Sequence, residues 1–459
     1  MEQLSVEQIA EWTQGRVIGG KGSVMVGSIS TDSRTVKEGD CFVALKGEKY
    51  DGLDYVASAA QKGAVAAIVD RELPLSMTLS IPVIRVKNTL EALQQLAFFY
   101  RKKLHAKIIA ITGSNGKTST KEMISSVLRV KYKTVSTSGN LNNQIGLPLS
   151  VLQMDHTTEY GVFELGTNHC GEIASLSRIV SPDIAIITNI GSAHVGNFGS
   201  VEAIGWEKTD LLTFVSPKGF SILMEDDEWS KRLSVRSAGQ VVWVGNQENS
   251  LCWLDQIWLT LKGIRCGISR HGESFEVSLA TISREMAKNA LFAAAVGFLA
   301  SLSSEEIALG LEKTVFPLGR LTVHPIRMGY LIDDSYNANL QSTMSALRAL
   351  CEFPFESEKI ALLGSMGELG EHANALHYKL GVFAGSLPLS FIIFIGPHWK
   401  EMLEGVKDAG FPLNAVLGTE DQEAAYYQLQ KHLNRKLTLL IKGSRFLKLD
   451  RIVEKLLSV

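Results

Sequence analysis

Residues 108 to 120 read Ile-Ile-Ala-Ile-Thr-Gly-Ser-Asn-Gly-Lys-Thr-Ser-Thr. The apolar start predicts a buried strand, and the spacing from Lys117 to Leu128 predicts a helix that begins where the strand stops. A strand, a glycine turn and a helix N-terminus make a phosphate cradle. Glycines let backbone N–H groups close on an anion, the helix dipole favours negative charge, Lys117 adds a point charge, and the Thr118 hydroxyl can hold Mg²⁺. The general pattern G-x-x-x-x-G-K-T would need glycine at Ile111, so what stands here is the compact T-G-S-N-G-K-T. A turn that merely joins strand to helix is the plainer reading; Gly116-Lys117-Thr118 at the junction favours ATP.

The chain around this loop has 459 residues, more than one core usually organises, so about three domains are expected. Apolar residues at 45% and charged residues at 20% describe an ordinary globular protein. A net charge of −2 gives no footprint for nucleic acid or an anionic membrane, so any polyanion must be small and met locally. Cys41, Cys170, Cys252, Cys266 and Cys351 are scattered without metal-ligand spacing and read as reduced thiols of a cytoplasmic protein. The N-terminus lacks the pattern of a signal peptide, and runs such as Leu387 to Ile395 are too short for membrane insertion.

An α/β fold in three units is expected, spanning 1–103, 104–318 and 319–459. In the first, strands at Ser28 to Thr31, Cys41 to Leu45, Val65 to Val69 and Pro82 to Val86 alternate with helices at Asp54 to Gln61 and Thr89 to Tyr100. Its loops carry Ser33, Arg34, Lys46 and Gly47, where an Arg beside hydroxyl and glycine residues can hold a diphosphate or form a plain surface turn. The central unit holds the phosphate loop in a mostly parallel sheet. The stretch from Gly219 to Ile282 reads as a peripheral antiparallel segment packing Trp229, Trp243, Trp253 and Trp258. The third unit predicts strands at Leu331 to Asp333, Lys359 to Leu363, Phe391 to Ile395, Ala415 to Leu417 and Leu437 to Ile441, hence an open, Rossmann-like parallel sheet.

Polar residues at strand ends supply the candidates for chemistry. Asn140, Asn142 and Asn143 lie on a loop near the carboxyl ends of the central sheet, where ligands collect. Glu164 ends an apolar strand and either holds Mg²⁺ beside the phosphate loop or caps a helix. His194 sits in a glycine loop after another strand, and Lys208 alone would be a solvated helix residue. Asn289, amid small apolar residues of a helix from Glu285 to Ala300, needs a polar partner such as an adenine edge. Arg320 lies at the junction to the third unit, placed either to swing onto a γ-phosphate or to serve as a linker charge.

In order, the motifs T-D-S-R, F-V-A-L-K-G, T-G-S-N-G-K-T-S-T, G-N-L-N-N-Q-I-G-L-P, F-E-L-G-T-N, I-T-N-I-G-S-A-H, G-R-L, D-D-S-Y-N-A-N and K-G-S-R cover nearly the whole chain and resemble the Mur ligases. The resemblance implies an ATP-dependent, ADP-forming amide ligase of cytoplasmic peptidoglycan precursor synthesis, acting as a monomer. Through the loop Gly139 to Pro148 and the cluster Asp333 to Asn339 it implies that UDP-N-acetylmuramoyl-tripeptide is joined to D-alanyl-D-alanine. By the same resemblance, Gly113, Ser114, Asn115, Gly116, Lys117, Thr118 and Ser119 hold the phosphates. Thr118, Glu164, His194 and a carbamylated Lys208 serve two Mg²⁺ ions. Asn289, Arg320, Asp334, Tyr336 and Asn337 contact the nucleotide. Ser33, Arg34, Lys46 and Gly47 hold the UDP-sugar, and Asn140, Asn142 and Asn143 face the muramoyl peptide.

The chain departs from the family pattern where relatives carry Asn-Ala-Asn-Pro, having Leu340 instead of proline, and where they carry G-D-M-L-E-L-G, having Ser365 and Gly367. His377 matches at the family's spacing after Glu371. Competing readings are a sister ligase adding a diamino acid, a folylpolyglutamate-type synthetase, and a nucleotide-dependent switch that ligates nothing.

Overall fold

The computed structural model describes residues 1–73, 79–245 and 249–458. Strand Lys107–Thr112 is central to a six-stranded sheet because its side chains feed two cores. Ile108 and Ala110 pack on one face, Ile109 and Ile111 on the other. The sheet runs Gln240–Val244, Phe220–Met224, Ile184–Ile187, Lys107–Thr112, Tyr160–Glu164, Thr134–Ser136, parallel throughout. After Lys107–Thr112 the chain crosses to the far edge, returns through Tyr160–Glu164, then continues on the opposite side. The order therefore reverses at the strand that carries the phosphate loop, which opens a crevice at its carboxyl end.

Helix Lys117–Leu128 packs under helix Arg284–Leu299, whose run of small residues permits close approach. On the opposite face, helix Thr89–Lys102 packs against Gly146–Val151 and Glu172–Val180, so the first unit shares one core with the middle one. Tyr100 donates to the Met154 carbonyl at 2.6 Å, and Arg101 Nε donates to the Val180 carbonyl at 3.1 Å. The first unit's own sheet orders Arg16–Ile18, Val83–Arg85, Ala66–Val69, Asp40–Val43, Ser28–Ser30, with only the Arg16–Ile18 edge antiparallel.

Two expectations need correction. Within 219–282, Phe220–Met224 and Gln240–Val244 extend the parallel central sheet, and only Trp253–Thr260, Gly263–Arg270 and Glu273–Leu279 form an antiparallel sheet. Trp229 lies on helix Glu228–Ser234 and Trp243 on a parallel strand, so the tryptophans do not mark one segment. Both strands pack on both faces, so their apolar residues do not alternate, which hid them. The third sheet is not wholly parallel: Thr322–Ile326 pairs antiparallel with Gly329–Asp334, followed by Leu437–Lys442, Glu358–Gly364, Phe391–Ile395 and Val416–Thr419. Pro325 concealed that edge strand, and an edge is where proline is tolerated. Among the described residues no helix is long and apolar enough to cross a membrane.

Candidate active site

The phosphate loop is shaped by two glycines. Gly113 has φ +145°, and a Cβ there would stand 1.9 Å from Thr188 Oγ1. Gly116 has φ +81°, and its Cβ would stand 2.5 Å from Asn289 Nδ2. The neighbouring strand end braces the loop. Ser114 N–H donates to the Asn189 carbonyl (2.9 Å), Asn115 N–H to Asn189 Oδ1 (3.0 Å), and Thr188 Oγ1 to the Asn115 carbonyl (2.6 Å). Helix Lys117–Leu128 begins at Gly116, so its first N–H groups, which lack intrahelical acceptors, open onto the cavity wall.

That cavity, of about 610 Å³, lies between the middle and third units. Ser114, Asn115, Gly116, Lys117, Thr118, Ser119, Asn140, Asn142, Glu164, His194, Asn289, Arg320, Asp334, Tyr336 and Asn337 all line it. Lys117 Nζ folds back to the Gly113 carbonyl at 2.8 Å. The Arg320 guanidinium lies 3.4 Å from Thr118 Oγ1 and rests on the Tyr336 ring, 4.4 Å from its centroid. Asn339 Nδ2 donates to Asn115 Oδ1 at 2.6 Å, and Ser192 Oγ to Gln341 Oε1 at 2.8 Å, so the third unit is seated directly on the loop.

Cations and carboxylates share the cavity lining, Lys117, Arg320, Arg348 and Lys442 with Glu164, Glu285 and Asp334. Burial pushes the Lys117 ammonium below lysine's usual range, against the pull of Glu164 and with the help of Arg320. Lys208, 1% exposed, is pushed much further down, first by burial and then by Lys117. Glu207 next to it accepts from Thr167 Oγ1 (3.2 Å), Gly171 N–H (2.7 Å) and Ile173 N–H (2.8 Å). Asp334 is raised by its burial despite Lys442 Nζ at 2.5 Å. Glu164 is 2% exposed; Asn142 Nδ2 donates to its Oε1 at 2.7 Å, while its Oε2 is buried without a hydrogen-bond partner. An unmet carboxylate oxygen on a residue that lines the same cavity as Thr118 and the phosphate cradle fits a hard cation completed by phosphate oxygens, as Mg²⁺ is commonly held. Among the described residues no three His, Cys, Asp or Glu side chains form a ready-made metal cluster.

Other expected residues stand apart. Gly113 and Lys208 lie behind the wall rather than on it. Asn143 Oδ1 accepts from Ile145 N–H (3.1 Å) and Gly146 N–H (2.8 Å), shaping the start of helix Gly146–Val151. Ser33, Arg34, Lys46 and Gly47 cluster on the first unit away from the cavity. Arg34 is held bidentate by Asp32, Lys62 Nζ donates to the Ser33 carbonyl at 2.8 Å, and the backbone at Lys46 pairs antiparallel with that at Asp51 in an isolated β-bridge. Asn189, Asn339, Gln341, Arg348 and Lys442 also line the cavity without having been singled out as site residues. Polar residues just past an apolar strand were the available signal for Asn189 and Lys442; Gln341 and Arg348, on helix Leu340–Glu352, gave none.

Comparison with known proteins agrees over most of the chain. Residues 111–297 match the Mur ligase middle domain, 26–101 the Mur ligase family catalytic domain, and 319–445 the Mur ligase glutamate ligase domain. The UDP-N-acetylmuramoyl-tripeptide–D-alanyl-D-alanine ligase of Treponema pallidum is 36% identical over 460 residues, covering 98% of each chain. Its Escherichia coli namesake is 31% identical over 99% of each. A crystal structure of MurF from Acinetobacter baumannii superposes with a TM-score of 0.91 at 32% identity over 100% of both chains. MurF of Thermotoga maritima in complex with ADP gives 0.82 at 26% identity, covering 93% of this chain and 96% of that one.

Proposed function

The chain belongs to the Mur ligase family, and from that premise we propose that it is the ATP-dependent ligase joining D-alanyl-D-alanine to UDP-N-acetylmuramoyl-tripeptide in peptidoglycan precursor synthesis. The observation that carries the reading at the level of this chain is the cavity over the phosphate loop, lined by Lys117, Arg320 and Glu164, with the third unit seated on it. A carboxylate is a poor electrophile towards an amine. Attack of one carboxylate oxygen on the γ-phosphorus releases ADP and leaves an acyl phosphate. The dipeptide amine then adds to the carbonyl carbon, and collapse expels phosphate and one proton to give the amide.

Catalysis of this kind is chiefly positioning and neutralisation of crowded anions. Lys117 and the N–H groups of residues 116–119 hold the β- and γ-phosphates, and Arg320 brings a fork from the third unit onto the same charge. Asn289, Tyr336, Asn337 and Asp334 bound the nucleoside end. Asn140 and Asn142 face the muramoyl peptide, and the loops of Ser33, Arg34, Lys46 and Gly47 take the UDP-sugar. Thr118 and Glu164 would hold one Mg²⁺ and His194 would serve a second, which would supply positive charge to the phosphate oxygens. Burial disfavours the charged form of Lys208; addition of its amine to CO₂ with loss of a proton would make it a carbamate, an anionic ligand in place of a cation. The units 1–103, 104–318 and 319–459 thus divide sugar, ATP and amine among them, in a cytoplasmic, monomeric enzyme.

The test is ADP release by the purified chain. It requires both UDP-N-acetylmuramoyl-tripeptide and D-alanyl-D-alanine, and Lys117→Ala lowers it by at least about 100-fold. ATP turnover indifferent to either substrate would favour a nucleotide switch instead.

A further inference from the structure

Residues 194–199 of the middle unit meet residues 368–372 of the third beside the cavity, whose wall includes His194. His194 Nδ1 is in direct contact with the Glu368 carboxylate. Gly196 N–H donates to the Glu368 carbonyl at 3.0 Å, and His372 Nε2 lies 3.3 Å from the Gly199 carbonyl oxygen. Both members of the central pair hold left-handed backbones, His194 at φ 64° and Glu368 at φ 61°, a conformation that non-glycine residues keep only when their surroundings impose it. The backbones approach so closely that a Cβ on Gly196 would stand 2.4 Å from Gly370 N. Side chains and main chain together therefore define this contact.

A carboxylate in contact with Nδ1 favours the His194 tautomer that carries its proton there, which leaves the Nε2 lone pair for a ligand. Imidazoles that bind metals are commonly oriented in this way by a carboxylate on the other nitrogen. We infer that Glu368 is a positioning residue: arriving with the third unit, it fixes the His194 tautomer and ring so that Nε2 can take a divalent cation at the nucleotide. The inference rests on the ligase reading and adds that one metal site is complete only when the units are closed. Glu368 lies in the loop that joins strand Glu358–Gly364 to the short 3₁₀ turn Gly370–His372.

The test is a titration of the full chain, saturated with a non-hydrolysable ATP analogue, with Mn²⁺ read by the electron paramagnetic resonance of the bound ion. Glu368→Ala is expected to weaken the weaker of two Mn²⁺ sites by about 10–100-fold. Glu368→Gln, which still offers Nδ1–H an acceptor, recovers most of that loss. The double variant Glu368→Ala/His194→Ala is no worse than His194→Ala alone, because both act through one ligand. The thermal midpoint of Glu368→Ala stays near wild type, since the Gly196–Glu368 backbone bond does not need the side chain. Unchanged Mn²⁺ affinity in Glu368→Ala, or losses that add in the double variant, would overturn the inference. The titration needs no turnover, so its outcome is separate from that of the ADP assay, which judges the ligase reading.

Discussion

Gly113 shows how much of the site rests on single residues. Its φ of +145° is nearly closed to L side chains, and Thr188 already fills the place of a Cβ. Gly116, in contrast, would meet chiefly the end of the Asn289 side chain, which can swing aside. Gly113→Ala is therefore expected to cost about 1–3 kcal/mol in chemical denaturation and to weaken ADP binding, with Gly116→Ala the milder of the two in stability. Equal stability losses would contradict the geometry. At this scale the sequence was informative wherever chemistry sits beside a backbone signal, as in Gly116-Lys117-Thr118 and in Glu164 at a strand end. It was silent on Glu368, because an acid in a glycine-rich loop is ordinary until a partner 174 positions away is seen to meet it.

Elements were legible in proportion to their length and burial. Helix Lys117–Leu128 and strand Phe391–Ile395 have the bounds that their apolar patterns imply. Strands such as Leu4–Ser5, Arg16–Ile18 and Met25–Val26 carry too few residues for any period to register. Helix Ala373–Gly385 supplies a consequence of its own. His377 on it is fully buried, with Nδ1 2.7 Å from the Ala373 carbonyl oxygen and Nε2 accepting from Met366 N–H at 2.8 Å. Burial drops its pKa to about 4. The unfolded chain binds this proton near pH 6.5 and the folded chain only near pH 4, so between these values the unfolded state holds more protons and stability falls with the pH. The contribution is about 3 kcal/mol, fully present above pH 6.5. Unfolding free energies of wild type should decline more steeply from pH 6.5 to 4 than those of His377→Gln; parallel curves would show that His377 is protonated in the fold.

Across the whole molecule, the alternation of strands and helices pointed to three α/β units, whereas their mutual placement came only from the structure. The first unit's helix Thr89–Lys102 lies in the core of the second, and the third reaches the phosphate loop through Asn339, Gln341 and Arg320. No periodicity encodes such contacts, because they are made by single polar side chains at strand ends. They matter because phosphoryl transfer to a carboxylate needs the triphosphate, the acid and the amine in one water-poor place. The account's central claim is that the acid is activated by phosphorylation inside this cavity. Its most direct test uses UDP-N-acetylmuramoyl-tripeptide labelled with ¹⁸O in the reacting carboxylate, with ATP, Mg²⁺ and D-alanyl-D-alanine present. One ¹⁸O should appear in the inorganic phosphate released at each turnover. Amide formed with phosphate free of label would contradict it.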